Sequence, residues 1–284
     1  MTGHPPKVSV LTPIYNTNPI HLRECIESIL NQTFADFEFL ILNDSPDNTE
    51  IEKIVKAYAK KDKRVRYVKN KKNLGITPSR NKLVKMARGQ YLAIFDHDDI
   101  SLPTRLEAEV KYLDEHPYIG VVSAWVQFFD ESDYLLKNPE HDWEIKIGTT
   151  DDNVVPHTAA MIRKSVLIDN NIEYEELYSP AEDYRLWARL MGVTHFYNIQ
   201  DVLVKYRWTS TNTSNNQKMR MHMARDAIRL YAQNNFPAYY KEWQKTVQNT
   251  TIFRLRLFGI PLLKIKNNTV YLFEYIPTFK IKWK

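Results

Sequence analysis

Apolar strands and amphipathic helices alternate along the first half of the chain. Val8–Thr12 reads as a buried strand ended by Pro13, and a loop at Tyr15–Pro19 follows. Leu22, Cys25, Ile26, Ile29 and Leu30 then recur at helical spacing. A second strand, Phe37–Leu42, stops at Asn43-Asp44-Ser45-Pro46, and Thr49 with Glu52 predicts a capping box for a helix carrying Ile54, Val55 and Tyr58. Val65–Val68 is a short strand. Thr77 before Pro78 predicts an N-cap and a helix running to about Ala87. Strand Tyr91–Phe95 ends at Asp96-His97-Asp98-Asp99, and a helix from Pro103 to about Glu115 precedes strand Gly120–Trp125.

This order predicts an α/β fold: a mostly parallel central sheet with helices on both faces. Ligands bind such sheets beyond the carboxyl ends of the strands. Polar residues follow three strands at that edge, at Thr12–Tyr15, at Asp44 and at Asp96–Asp99, so a site is expected there.

Composition adds the compartment and the partners. The single cysteine, Cys25, excludes an internal disulfide framework and sits on an apolar helix face, as a core residue would. Met1–Lys7 lacks an apolar stretch and no run is long enough to span a bilayer, so a cytoplasmic protein is expected. The net charge of +5 is concentrated at the end of the chain. Arg254, Arg256, Lys264, Lys266, Lys280, Lys282 and Lys284 face one acid, Glu274, while the body is nearly neutral. That placement argues against a nucleic-acid binder and for a local anionic partner.

The sharpest chemical signal is Phe95-Asp96-His97-Asp98-Asp99. Carboxylates crowded after an apolar strand repel one another unless a cation is present, and Mg²⁺ or Mn²⁺ takes carboxylate oxygens while sharing its other positions with phosphates. A polar loop capping the next helix explains the tetrapeptide as well. Haloacid-dehalogenase-type phosphatases also place Asp-x-Asp after a strand. They follow it with Gly and Thr near the start of the chain, whereas Asp99 and Ile100 follow here.

Taken in order, VSVLTPIYN, NQTFADFEFLILNDSPDNT, NLGITPSRN, ARGQYLAIFDHDDISLP and AEDYRLW resemble family-2 glycosyltransferases of the GT-A fold over roughly residues 7–210. Similar bacterial enzymes extend lipooligosaccharide or capsule chains, N-acetylglucosaminyltransferases among them. The resemblance implies a catalytic domain over 1–210, with a nucleotide-binding half at 1–100 and an acceptor half at 101–210. A mainly helical, basic and amphipathic extension would occupy 211–284.

The resemblance also implies roles. Thr12, Pro13 and Tyr15 match the nucleoside pocket, and Asp44 matches the carboxylate that accepts the uracil imide. Arg80 would reach the base or the diphosphate; otherwise it is an ordinary salt-bridge residue. Asp96 and Asp98 match the outer residues of the Asp-x-Asp motif, the first near the ribose and the second on Mn²⁺ or Mg²⁺, with Asp99 a further candidate. Asp183 matches the general base, and Glu182, Trp187 and His157 fall on the acceptor side. An acid in the first turn of a helix is stabilised as its anion, which suits a base that must start ionised.

Inverting transfer from a UDP-sugar carrying GlcNAc, GalNAc, Gal or Glc to a hydroxyl of a glycan or glycolipid acceptor is therefore expected. One departure stands out. Relatives often carry a histidine two residues after the Tyr-Arg pair, and Thr209 stands there after Tyr206-Arg207. This keeps a non-catalytic nucleotide-sugar-binding protein as an alternative beside the phosphatase-like one. The interleaved tail aromatics, from Phe253 to Trp283, suit an anionic membrane surface or a subdomain packed on the body with a basic face in water.

Overall fold

The computed structural model describes residues 4–209, 217–257, 260–266, 269–272 and 276–280, with side-chain surroundings up to 247. The strands of the first half are β1 (Val8–Ile14), β2 (Phe37–Asn43), β3 (Val65–Lys69) and β4 (Tyr91–Ile94). Helices α1 (Pro19–Leu30), α2 (Thr49–Lys61) and α3 (Ile76–Met86) connect them. These strands pair in parallel in the order β3-β2-β1-β4.

The second half is mixed. It comprises β5 (Ile100–Ser101), α4 (Arg105–Glu115), β6 (Ile119–Asp130), β7 (Leu135–Leu136) and α5 (Asp142–Thr149). After them come β8 (Met161–Arg163), α6 (Lys164–Asp169), α7 (Glu182–Leu190) and β9 (His195–Trp208). Strand β8 runs antiparallel between β4 and β6, β9 runs parallel to β6, and β5 closes the edge antiparallel to β9. The expected parallel sheet is thus confined to β3-β2-β1-β4, and β8 reverses the direction beyond it.

Strict alternation sorts the strand residues between two layers of core. Phe37, Phe39 and Ile41 join Val10, Phe95, Cys25, Ile26, Ile54 and Leu106 on one face, while Leu40 and Leu42 join Leu83, Ile145, Leu186 and Trp187 on the other. Cys25 is fully buried, as a core residue.

Two caps differ from expectation. Asn48 rather than Thr49 caps α2, its Oδ1 accepting Ile51 N–H at 3.2 Å. Helix α3 begins one residue before Thr77, behind Gly75 at φ 89°. That left-handed conformation favours glycine, and it turns the Gly75 N–H onto Asp44. Thr77 is buried instead of capping.

The extension holds the expected helices, α8 (Lys218–Asn235) and α9 (Pro237–Thr250). Beyond them, β10 (Thr251–Leu257), β11 (Ile260–Lys266), β12 (Thr269–Leu272) and β13 (Ile276–Lys280) form an antiparallel sheet. Phe253-Arg254-Leu255-Arg256-Leu257 alternates with period two, a strand signal that composition alone concealed. The side chains of the seven tail cations, Glu274 and the aromatics from Phe253 to Trp283 lie outside the described residues. Among the described residues no helix is long and apolar enough to cross a membrane.

Candidate active site

The residues following β1, β2 and β4 open onto one cleft of about 1610 Å³ at the carboxyl edge of the sheet. Its far wall comes from the start of α7, the end of β9 and the first turns of α8. Pro13, Tyr15, Asp44, Arg80, Asp96, Asp98, His157, Glu182 and Asp183 all line it.

Tyr15 is 54% exposed and lines the cleft, so its ring is open to a ligand rather than packed in the core. Asp44 is buried beside it, at the end of the neighbouring strand, and its N–H donates to Ile14 C=O at 2.9 Å. Its Oδ1 accepts Asn70 Nδ2 at 2.6 Å and Leu74 N–H at 2.9 Å, and its Oδ2 accepts Gly75 N–H at 2.8 Å. Thr12 departs from the expected nucleoside pocket. It is fully buried, does not line the cleft, and donates its hydroxyl to Phe95 C=O at 2.9 Å. It ties β1 to the residue that precedes Asp96.

The Asp96–Asp99 turn is held from below by β9. Arg207 N–H donates to Asp99 Oδ1 at 2.8 Å, and Arg207 Nε donates to Asp98 C=O at 2.9 Å. Asp99 is fully buried away from the cleft. Burial and the neighbouring Asp98 and Asp96 charges push its carboxyl well up, so it serves the turn as a structural acid.

Asp98 faces the cleft, about 30% exposed, and its nearest ring nitrogen, His97 Nδ1, is 3.8 Å away, beyond hydrogen-bond reach. Its oxygens are available to a cation. Among the described residues no three His, Cys, Asp or Glu side chains converge as a ready metal cage. One or two carboxylates completed by phosphate oxygens is how Mg²⁺ is usually held, so Asp98 with Asp96 beside it fits a divalent ion that arrives with a nucleotide.

Arg80 lines the cleft and is committed to two carboxylates there. Its Nη2 donates to Asp96 Oδ1 at 3.1 Å and its Nη1 to Glu182 Oε1 at 2.6 Å. Burial alone would lower its guanidinium, but Glu182 and Asp96 more than offset this and raise it. Burial alone would raise the Asp96 carboxyl, but the Arg80 guanidinium holds it below its ordinary value.

Asp183 lies beside Glu182 in the first turn of α7. Its Oδ1 accepts Tyr184 N–H at 2.7 Å and its Oδ2 accepts Asn153 Nδ2 at 2.9 Å. Burial, then the Glu182 charge, pushes its carboxyl up to about 6, against the pull of Arg80.

His157 lines the cleft, with Nε2 bonded to Tyr174 Oη at 2.9 Å. Burial, then the Arg80 charge, lowers its ring well below its ordinary value, so it is a neutral positioning group. Trp187 departs from the expected acceptor side: it is fully buried in the core, its ring centroid 5.9 Å from that of His157. Its place as the seventh and last residue of AEDYRLW is explained by that packing. Thr209 lines the cleft after Arg207. Asn153, Tyr174 and the cations of α8 were missed, since neither spacing nor an adjacent motif marks them.

A sheet with helices on both faces and a carboxylate-lined cleft at its carboxyl edge is the GT-A architecture. Residues 9–169 match the family described as Glycosyl transferase family 2, and the chain belongs to that family. An uncharacterized glycosyltransferase of Methanocaldococcus jannaschii is 35% identical over 283 residues, 98% of this chain and 92% of that protein. Among solved structures, S. aureus TarS 1–349 in complex with UDP-GlcNAc superposes with a TM-score of 0.60 at 18% identity, covering 96% of this chain and 99% of that one. A mannosyltransferase, PcManGT from Pyrobaculum calidifontis, in complex with GDP-Man and Mn²⁺, gives a TM-score of 0.58 at 15% identity, over 87% and 76% of the two chains. At these identities the two structures share the fold.

Proposed function

We propose that the protein is an inverting glycosyltransferase that moves a sugar from a UDP-sugar to a hydroxyl of a glycan or glycolipid acceptor. The carrying observation is that Asp183, an acid raised to about 6, shares one cleft with the unpaired carboxylate of Asp98. A base of that proton affinity is ionised at neutral pH yet still basic enough to take a proton from an attacking alcohol. Tyr15 offers a face to the base of the donor, and Asp44 has acceptor capacity beyond its three intramolecular bonds. Glu182, clamped by Arg80, keeps a buried Oε2 without a partner, free to take a hydrogen bond from an acceptor hydroxyl.

Asp98, with Asp96 beside it, would hold a divalent ion that neutralises charge building on the leaving diphosphate. Asp183 then removes the acceptor proton as its oxygen displaces the nucleotide from the opposite face of the sugar. The acceptor class we favour is a surface glycan or its lipid-linked precursor. The notion of Asp96 as a phosphatase nucleophile loses its footing, because Asp96 is ion-paired to Arg80 and the family is one of sugar transfer.

The test is a thermal-shift panel of nucleotide-sugars with and without Mn²⁺, followed by transfer assays on the hits. A ligand that binds only the folded state raises its apparent stability by mass action. Metal-dependent stabilisation by one UDP-sugar, with turnover lost in Asp183→Asn, supports the reading. No response to any nucleotide refutes it, and unchanged turnover in Asp183→Asn refutes the assigned base.

A further inference from the structure

The acceptor wall of the cleft is cationic in a way the chemistry above does not use. Gln217, Lys218, Arg220, Met221, His222 and Arg225 line it from the first turns of α8. The lining runs from Gln217 to Arg225 and includes Arg220, so it is the N-terminal end of α8, rather than a single face of it, that borders the cleft.

The helix is fixed in place. Ile228 and Ala232 of α8 are fully buried against Ala181, which precedes α7, and against Tyr184 and Ala188 within it, and Arg185 lies over the Tyr231 ring at 3.8 Å. Thus α8 is anchored on the same helix that carries Glu182 and Asp183.

The charges are not all satisfied internally. Arg225 is ion-paired with Asp152. Arg220 reaches only Ser179 C=O, at 3.5 Å, and Lys218 makes no ion pair among the described residues. Toward the donor end, Arg80 and Arg207 are already committed to carboxylates. The first turn of a helix favours acids, yet α8 has no acid there and carries Lys218 and Arg220 instead. Cations placed at a helix start, bordering a cleft and without an acidic partner among the described residues, call for an anion from outside. A cleft of about 1610 Å³ also exceeds the 300–1,000 Å³ usual for one small ligand, leaving room beyond a donor.

Building on the glycosyltransferase reading, we propose that Lys218 and Arg220 form a subsite for an anionic group, phosphate or carboxylate, carried by the acceptor next to its reacting hydroxyl. The acceptor is then a charged glycan rather than a neutral one. The same cations could instead meet the donor's diphosphate, and the experiment separates the two.

The full chain, with and without saturating UDP and Mn²⁺, is titrated with a hexose 6-phosphate and with its neutral parent hexose. The expected result is about ten-fold tighter binding of the phosphate, shrinking as salt rises. Lys218→Glu with Arg220→Glu should abolish that preference and leave UDP affinity within about two-fold. The double variant should melt no lower than the wild type, since acids suit a helix start. Equal binding of the two sugars by the wild type, or a preference that survives in the variant, overturns the subsite. A parallel loss of UDP affinity overturns it in favour of the diphosphate. Failure of the wild type to bind UDP defeats the transfer reading alone, because the arm without UDP still decides the anion subsite.

Discussion

Arg80 Nη1 stands 2.6 Å from Glu182 Oε1, joining two residues 102 positions apart, while its Nη2 holds Asp96 at 3.1 Å. One guanidinium therefore ties the turn after β4 to the start of α7 across the cleft. The pair is nearly dry, with side chains 11% and 4% exposed. Removing one partner of such a pair leaves a buried charge uncompensated, which typically costs about 3–5 kcal/mol.

Arg80→Met is accordingly expected to lower stability by about 3 kcal/mol in urea unfolding at neutral pH. Its second effect is on Asp183, whose carboxyl Arg80 pulls down. Without that charge the acid limb of the kcat/KM profile should move to higher pH. Arg80→Lys keeps the charge but not the fork, so it should restore part of the pH profile and little of the stability. An unmoved limb in Arg80→Met would show that the guanidinium does not tune the base.

Asp183 itself sets the second expectation. A base raised to about 6 is protonated below that pH and ionised above it. Activity should therefore rise through about pH 6 and level off toward neutrality, with the rise absent from the residual rate of Asp183→Asn. General-base removal typically costs about 10²–10⁴-fold in turnover. Affinity for the nucleotide-sugar should be retained in that variant, because the proposed role of Asp183 is toward the acceptor hydroxyl and not the donor. A pH-rate series on kcat/KM with matched binding titrations checks both.

How far this was legible in the sequence depends on the kind of signal each residue leaves. Asp44, Asp96 and Asp98 follow apolar strands, and strand ends fall at one edge of such a sheet, so a one-dimensional pattern located them. Asp183 was singled out by the family resemblance of AEDYRLW, since an acid at a helix start is by itself explained equally well by the helix dipole. Thr12 misled, because a hydroxyl at the end of a strand points into the sheet as readily as out of it, and here it bonds Phe95 C=O. Trp187 lies within the same short motif as Asp183, but the helical turn carries it to the buried face. The reach of Arg80 to Glu182 and the turn of α8 over α7 are long-range packing facts, and no local pattern encodes them.

Asp98 and Asp96 should respond differently to the same substitution. Asp98 has no cationic partner within bonding distance, so Asp98→Ala is expected to leave the unliganded stability within about 0.5 kcal/mol of wild type. It should remove the Mn²⁺-dependent part of UDP binding. Asp96→Ala also strips Arg80 of a partner, so it should lower stability as well as nucleotide affinity. Denaturant unfolding without ligand, paired with UDP titrations with and without metal, distinguishes them. Equal destabilisation by the two variants would contradict the assignment.

Glu38, at the opposite end of the sheet from the cleft, offers a stability test independent of catalysis. Its Oε1 accepts Ser9 Oγ at 2.7 Å and Arg88 N–H at 2.7 Å, and its Oε2 accepts Arg66 Nη1 at 2.5 Å and Arg88 Nε at 2.8 Å. Burial alone would raise this carboxyl, but the bonds from Ser9, Arg88 and Arg66 outweigh it and lower it. A carboxyl lower in the folded than in the unfolded chain contributes stability above its unfolded value. That contribution is lost as pH falls through the folded value. Glu38→Gln should therefore destabilise the protein by about 1–3 kcal/mol at pH 7, the cost of breaking buried charge-assisted bonds. The gap between variant and wild type should narrow steadily as pH drops below the ordinary carboxylate range. Urea unfolding of both proteins from pH 7 downward measures it, and a gap that stays constant with pH would mean that Glu38 stabilises through packing rather than charge.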